Sequence, residues 1–180
     1  MFVIMNTTIT KSFHVEHSIE DVWANLTNPE KVVACVPGAS LTEKVDDNNF
    51  KGAVQLKFGP VKASYGGLVT FTERDAATHK MTLKGTGTDT KGKGGAEMVM
   101  NGKLAEKDGG TDVNVSMEMS ITGMLAQLGS RLINDVSNQV FDQFVNNFKA
   151  QLAGKEVDSS LHAGSIAGSM IKGIIGGKKS

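Results

Sequence analysis

Apolar and polar positions change period twice along this chain, which divides it into three parts. In residues 6–15, Ile9, Phe13 and Val15 share one face of an alternation that Lys11 interrupts, and this predicts a strand. Ser18, with Asp21 three positions on, reads as a helix N-cap, and the helix it starts carries Val22, Trp23 and Leu26 inward. Asn28-Pro29 marks a second start, a cap residue followed by proline at the first helical position. Cys35-Val36-Pro37-Gly38 then reads as a turn. From 39 to 122 the period is two. Leu41–Val45 is a short strand. Phe50, Gly52, Val54, Leu56 and Phe58 share a face, with Lys51, Gln55 and Lys57 opposite. After a Gly59-Pro60 turn the apolar face continues through Val61, Ala63, Tyr65, Val69 and Phe71, then Met81 and Leu83, then Met98, Met100 and Leu104. It ends with Val113, Val115, Met117, Met119 and Ile121. The connections are short, such as Asp46-Asp47-Asn48-Asn49 and Asp108-Gly109-Gly110. A meander of about seven antiparallel strands follows, because parallel neighbours need long crossovers.

From Met124 the spacing becomes helical. Leu128, Leu132, Val136, Val140, Phe144 and Phe148 recur every four residues, and Leu125, Ile133, Phe141, Val145 and Leu152 widen the stripe. A single helix running to about 152 would be roughly 40 Å long. One sheet with an apolar face and one long amphipathic helix must bury those faces against each other. The expected class is α+β, with the sheet curved around the helix and two short helices after the first strand. The expected division is one domain over residues 1–152, a polar linker at 153–160 and an amphipathic Gly-rich tail at 161–180.

Charge and composition narrow the function. Nineteen Lys and Arg balance 19 Asp and Glu, so the basic excess of a protein that binds nucleic acid through bulk electrostatics is lacking. An apolar fraction of 39% with 21% charged residues argues against a wholly disordered chain. A mean hydropathy of -0.14 argues against an integral membrane protein. Cys35 is the single cysteine, so no internal disulfide and no Cys-rich zinc site is expected. No charged n-region or cleavage site accompanies Met1–Met5, so no signal peptide is predicted and a cytoplasmic protein is expected.

Candidate catalytic and metal motifs are weak. Gly87 to Gly94 has the glycines and Lys93 of a phosphate-binding loop, but Gly94 stands where Ser or Thr must ligate magnesium. The alternating Ala96–Met100 follows instead of a helix, so the stretch reads as a Gly-rich strand connection. His14 and His17 lie near Glu16, Glu20 and Asp21 without a third strong ligand at a standard spacing, and read as solvent-facing. His79, in a turn, and His162, in the tail, have no evident partner. Cys35 has apolar neighbours and reads as a small buried hydrophobe. No catalytic residue set, metal site or tightly bound cofactor is expected.

The methionines and the tail are more informative. Six of nine methionines, Met81, Met98, Met100, Met117, Met119 and Met124, fall at inward positions of the later strands or at the helix start. Methionine adapts to varied apolar shapes. The pattern fits either a loosely filled core or a cavity for a flexible apolar ligand. The expected lining is those six with Phe50, Phe58, Tyr65, Phe71, Leu128, Leu132 and Val136. In the tail, Ile166, Met170, Ile171, Ile174 and Ile175 recur at three-to-four spacing, with Lys172, Lys178 and Lys179 among and after them. This stretch is too short to span a bilayer but suits an interfacial helix, the alternative being a frayed tail.

The order strand, two short helices, six strands and long helix resembles the helix-grip fold of START-like and birch-pollen-allergen-like proteins. Asp21-Val-Trp23, Asn28-Pro29-Glu30, Cys35-Val-Pro37-Gly38-Ala39, Phe50-Lys-Gly52, Gly59-Pro60-Val61 and Gly85-Thr-Gly87 through Gly92-Lys-Gly94 are similar to the carbon monoxide dehydrogenase G-subunit family over residues 6–152. The resemblance implies an accessory protein of a molybdenum-containing carbon monoxide dehydrogenase-type hydroxylase rather than an enzyme. It implies recruitment of that partner to the inner face of the cytoplasmic membrane, and a quinone or lipid-like ligand. Two other readings suit the fold, a soluble carrier of hydrophobic ligands and a polyketide-cyclase-like enzyme.

Overall fold

A computed structural model describes residues 4–58, 61–92 and 94–154. The side chains of Phe58 and Val61 are outside that description, as are Gly59, Pro60, Lys93, His162 and the whole tail from 155. The elements in chain order are β1 (Ile4–Val15), α1 (Ile19–Leu26), α2 (Pro29–Cys35), β2 (Ala39–Lys44), β3 (Asn49–Phe58), β4 (Val61–Asp75), β5 (Lys80–Asp89), β6 (Gly95–Lys107), β7 (Gly110–Thr122) and α3 (Ser130–Leu152). A 3-10 turn, Leu125–Leu128, precedes α3.

All strand pairs are antiparallel, in the order β1-β7-β6-β5-β4-β3-β2. The fold is the expected α+β helix grip. The caps act as the sequence reads: Ser18 Oγ accepts from Asp21 N–H and Asn28 Oδ1 from Glu30 N–H. Lys11 does not interrupt β1; the strand runs through it and leaves it half-buried on the inner face. His79, expected without a partner, sits edge-on to Trp23 with ring centroids 5.4 Å apart.

The long helix differs from its expectation. Gly129, at φ +93°, breaks the apolar stripe, so α3 begins only at Ser130. Its 23 residues span about 34 Å. The restart shifts the helical phase. Ile133 and Phe148 are buried, whereas Leu132 is 37% exposed.

Register places the inner-face residues in rows across the sheet. One row reads Gly52–Gly67–Gly87–Ala96–Ile121–Met5, and the next Phe50–Val69–Gly85–Met98–Met119–Thr7. The third reads Phe71–Leu83–Met100–Met117–Ile9. At Gly67 the sheet coils so tightly that a Cβ would overlap the Thr86 carbonyl oxygen of β5. At its neighbour Gly66 a Cβ would meet nothing within 4 Å.

Gly67→Ala is therefore expected to destabilise the protein by about 1–3 kcal/mol, the ordinary cost of overpacking. Gly66→Ala should stay within about 1 kcal/mol of wild type. Urea unfolding of the two variants checks this, and equal stability would contradict the coil at Gly67.

Candidate functional site

The inner face of the sheet is covered by two separate packed clusters. One lies under α1, α2 and the C-terminal half of α3, and is built from Val15, Val22, Phe50, Phe71, Met81, Leu83, Leu104, Val113 and Phe148 with their neighbours. The other lies under the 3-10 turn and the start of α3, where Ala63, Tyr65, Ile121, Leu125, Ala126 and Ile133 meet. Helix α3 is held at both ends. Near its start Thr7 Oγ1 donates to Asn134 Oδ1 at 2.8 Å. Near its end the buried Asn147 donates from Nδ2 to the Cys35 carbonyl at 3.0 Å, and Gln151 Nε2 donates to the Lys31 carbonyl at 3.1 Å. Phe13 packs edge-on against Phe141 and Phe148, and Phe144 stacks on Phe148 at 5.8 Å.

Between the clusters the packing thins. Ile9, Met98, Met117 and Met119 face inward by register, stay half-buried, and pack into neither cluster. The glycine row beside them carries no side chains at β3, β4 and β5. These half-buried positions and the bare glycine row beside them make up the candidate groove. Two open hollows of about 320 and 390 Å³ lie along the sheet, the first bordered by Thr10, Thr82, Asn101 and Ser116 and the second by Asn6, Thr8, Glu97, Glu118, Met98 and Met119.

The expected lining residues divide accordingly. Met98, Met117 and Met119 come together in the groove. Met100 packs on the first cluster, and Leu128 and Val136 on the second, all half-buried. Met124 is half-buried at the cap of the 3-10 turn. Phe50, Phe71, Met81 and Tyr65 are buried members of the clusters themselves. Leu132 is turned to solvent. Ile9 was readable as part of the strand face but not as groove. Asp89, cross-strand from Tyr65, was hidden inside the loop-like glycine stretch.

The model of the carbon monoxide dehydrogenase G-subunit (CoxG) family matches residues 12–153. No curated protein matches the chain. Among solved structures, that of a conserved protein from Geobacillus kaustophilus superposes with a TM-score of 0.74 at 21% identity, covering 83% of this chain and 96% of that one. A protein from Rhizobium leguminosarum gives 0.61 at 12% identity, covering 86% and 99%. The Zhui aromatase/cyclase from Streptomyces sp. R1128 gives 0.61 at 10% identity, covering 83% and 94%. These likenesses establish the helix-grip fold.

Reactive groups are scarce around the groove. No cluster of three or more His, Cys, Asp or Glu suited to a metal occurs among the described residues. His14 Nδ1 meets Asp112 Oδ1 at 2.7 Å, tying β1 to β7, with Glu16 at 3.4 Å from the other ring nitrogen. The turn after β5 is ordered by Asp89 Oδ1, which accepts from Lys91 N–H at 2.7 Å. Cys35 is fully buried, and burial pushes its thiol up to about 11. A neutral buried thiol is a poor nucleophile.

The Cys35 thiol should therefore resist aromatic disulfide reagents at pH 8 in the folded protein and react fully in urea. Unfolding lowers its pKa to an ordinary 9.0, so between 9.0 and about 11 the unfolded chain binds fewer protons. The contribution to stability is intact below 9.0 and is lost as pH rises through about 11. Denaturation curves across that window, compared with Cys35→Ala, measure it. Fast labelling of the native protein would contradict the burial.

Proposed function

Because this chain belongs to the carbon monoxide dehydrogenase G-subunit family, we propose that it is an accessory protein of a molybdenum-containing carbon monoxide dehydrogenase-type hydroxylase. It binds a quinone or lipid-like molecule in the groove between α3 and the sheet and helps bring the enzyme to the cytoplasmic membrane. The observation that carries the reading is the inward quartet Ile9, Met98, Met117 and Met119, apolar and half-buried yet outside both packed clusters. Apolar surface left partly wet in this way is stabilised by roughly 25 cal/mol per Å² when a ligand covers it. Unbranched methionines let the wall adapt to a flexible tail.

The membrane role rests on the sequence of the tail. No helix among the described residues is long and apolar enough to cross a bilayer. Ile166, Met170, Ile171, Ile174 and Ile175 would lie along the interface, with Lys172, Lys178 and Lys179 at the headgroups. Each basic residue adds about 1 kcal/mol on an anionic surface.

Short-chain menaquinone or ubiquinone analogues should raise the melting temperature of the full-length protein, by mass action on the native state. Met119→Trp, which fills the groove, should weaken that binding more than it weakens the fold. Calorimetry and thermal melts test both, and absence of any quinone or lipid binding removes the groove from the function. In the full chain, Ile171→Asp with Ile174→Asp should abolish flotation with anionic liposomes and leave ligand binding unchanged. Equal flotation of variant and wild type would make the tail a protein contact instead.

A further inference from the structure

Beside the candidate groove, the second cluster holds one polar feature that packing does not explain. Tyr65 on β4 is only 7% exposed, with its ring among Ala63, Ile121, Leu125, Ala126 and Ile133. The ring leans over the glycine row, since a Cβ at Gly87 would sit 3.8 Å from Tyr65 Cβ and Cδ2. Its hydroxyl has no hydrogen-bond partner among the described residues. A phenol held in an apolar cluster, its oxygen unpaired among those residues and its ring beside the glycine row, is placed to meet a molecule entering from the groove. Buried polar groups ordinarily find partners.

The charge next to it limits what that molecule is. Asp89 lies directly across from Tyr65 on β5 and is 7% exposed. Its carboxylate stays acceptor-rich, because the one donor it holds among the described residues is the Lys91 N–H. Desolvation first, and the Asp89 charge second, push the Tyr65 hydroxyl above its ordinary range. The hydroxyl therefore remains a protonated donor at neutral pH. An anion approaching it would be desolvated against a carboxylate, which is costly in a low-dielectric site.

Resting on the groove reading, we propose that Tyr65 and Asp89 select the polar end of the ligand. Tyr65 donates a hydrogen bond to a carbonyl oxygen, and Asp89 rejects acids. The groove then takes uncharged, carbonyl-bearing apolar molecules and not fatty acids or other anionic amphiphiles. The ligand body would lie over the Gly52–Gly67–Gly87 row toward Met98 and Met119.

Three probes of one shape test this on the full-length protein by calorimetry at pH 7: 2-ethylnaphthalene, 2-acetylnaphthalene and 2-naphthoate. Wild type should bind the ketone about tenfold more tightly than the hydrocarbon, in line with one buried hydrogen bond, and the carboxylate more weakly than either. Tyr65→Phe should bring the ketone down to the hydrocarbon's affinity and leave the hydrocarbon unchanged, which also reports that the variant is folded. Asp89→Asn keeps an acceptor for the Lys91 N–H and should admit 2-naphthoate at least tenfold more tightly. Equal wild-type affinity for ketone and hydrocarbon overturns the role of Tyr65 while leaving the groove standing, and needs no variant. Wild-type binding of 2-naphthoate as tight as that of the ketone overturns the role of Asp89. If none of the three binds, the groove reading falls and this selectivity falls with it.

Discussion

The close approach of β4 and β5 at Gly67 shapes everything that faces the helix. A side chain there would overlap the Thr86 carbonyl oxygen, so the tight coil of the sheet exists only because the position is bare. Gly52 and Gly87 stand in register with it on either side. A coiled sheet cannot keep a straight helix in contact along its whole length. Helix α3 meets it at two places, and the packed clusters form at those two places. The bare glycine row and the gap between the two clusters together mark the candidate groove.

Where α3 is held, it is held by specific polar bonds and not by apolar packing alone. Asn147 is buried and donates to the carbonyl at the end of α2, and Thr7 meets Asn134 at the other end. Leaving either partner unpaired inside the protein costs about 1–3 kcal/mol, so these contacts fix the position of the helix over the sheet. The ring cluster of Phe13, Phe141, Phe144 and Phe148 closes the C-terminal end. In the middle of α3, Val136 and Val140 are half-buried, and Val136 packs on the second cluster.

Much of this was legible in the sequence, for identifiable reasons. The caps at Ser18 and Asn28, the period of two and the short polar turns are local signals, and together they predict the antiparallel meander of β2 to β7; the pairing of β1 with β7 carries no local signal. The face of each strand was equally clear, because alternation reports direction. Depth was not, because alternation is silent about it: Phe50, Phe71 and Met81 share the inner face with Met98 and Met119, yet the first three are core and the last two are groove. Which inner positions are filled depends on where α3 lies, and that depends on the bare glycine row and on Gly129. A glycine inside an apolar helical stripe is tolerated often enough that Leu125, Leu128 and Leu132 read as one face. The left-handed backbone at Gly129 breaks that face and leaves Leu132 outside.

In the proposed reading, the two kinds of wall in the groove divide the work of recognition. Methionine gives shape tolerance, since its unbranched chain repacks around different apolar bodies at little cost. Charge tolerance is a separate matter, and near Tyr65 the apolar surroundings make it strict. A buried hydroxyl beside a carboxylate distinguishes neutral from anionic head groups far more sharply than methyl groups distinguish one hydrocarbon from another. Under that proposal the protein would accept tails of many lengths and still discriminate at the head. Discrimination of that kind is what the proposed role requires, because the anionic lipids of a bilayer carry tails as apolar as a quinone's.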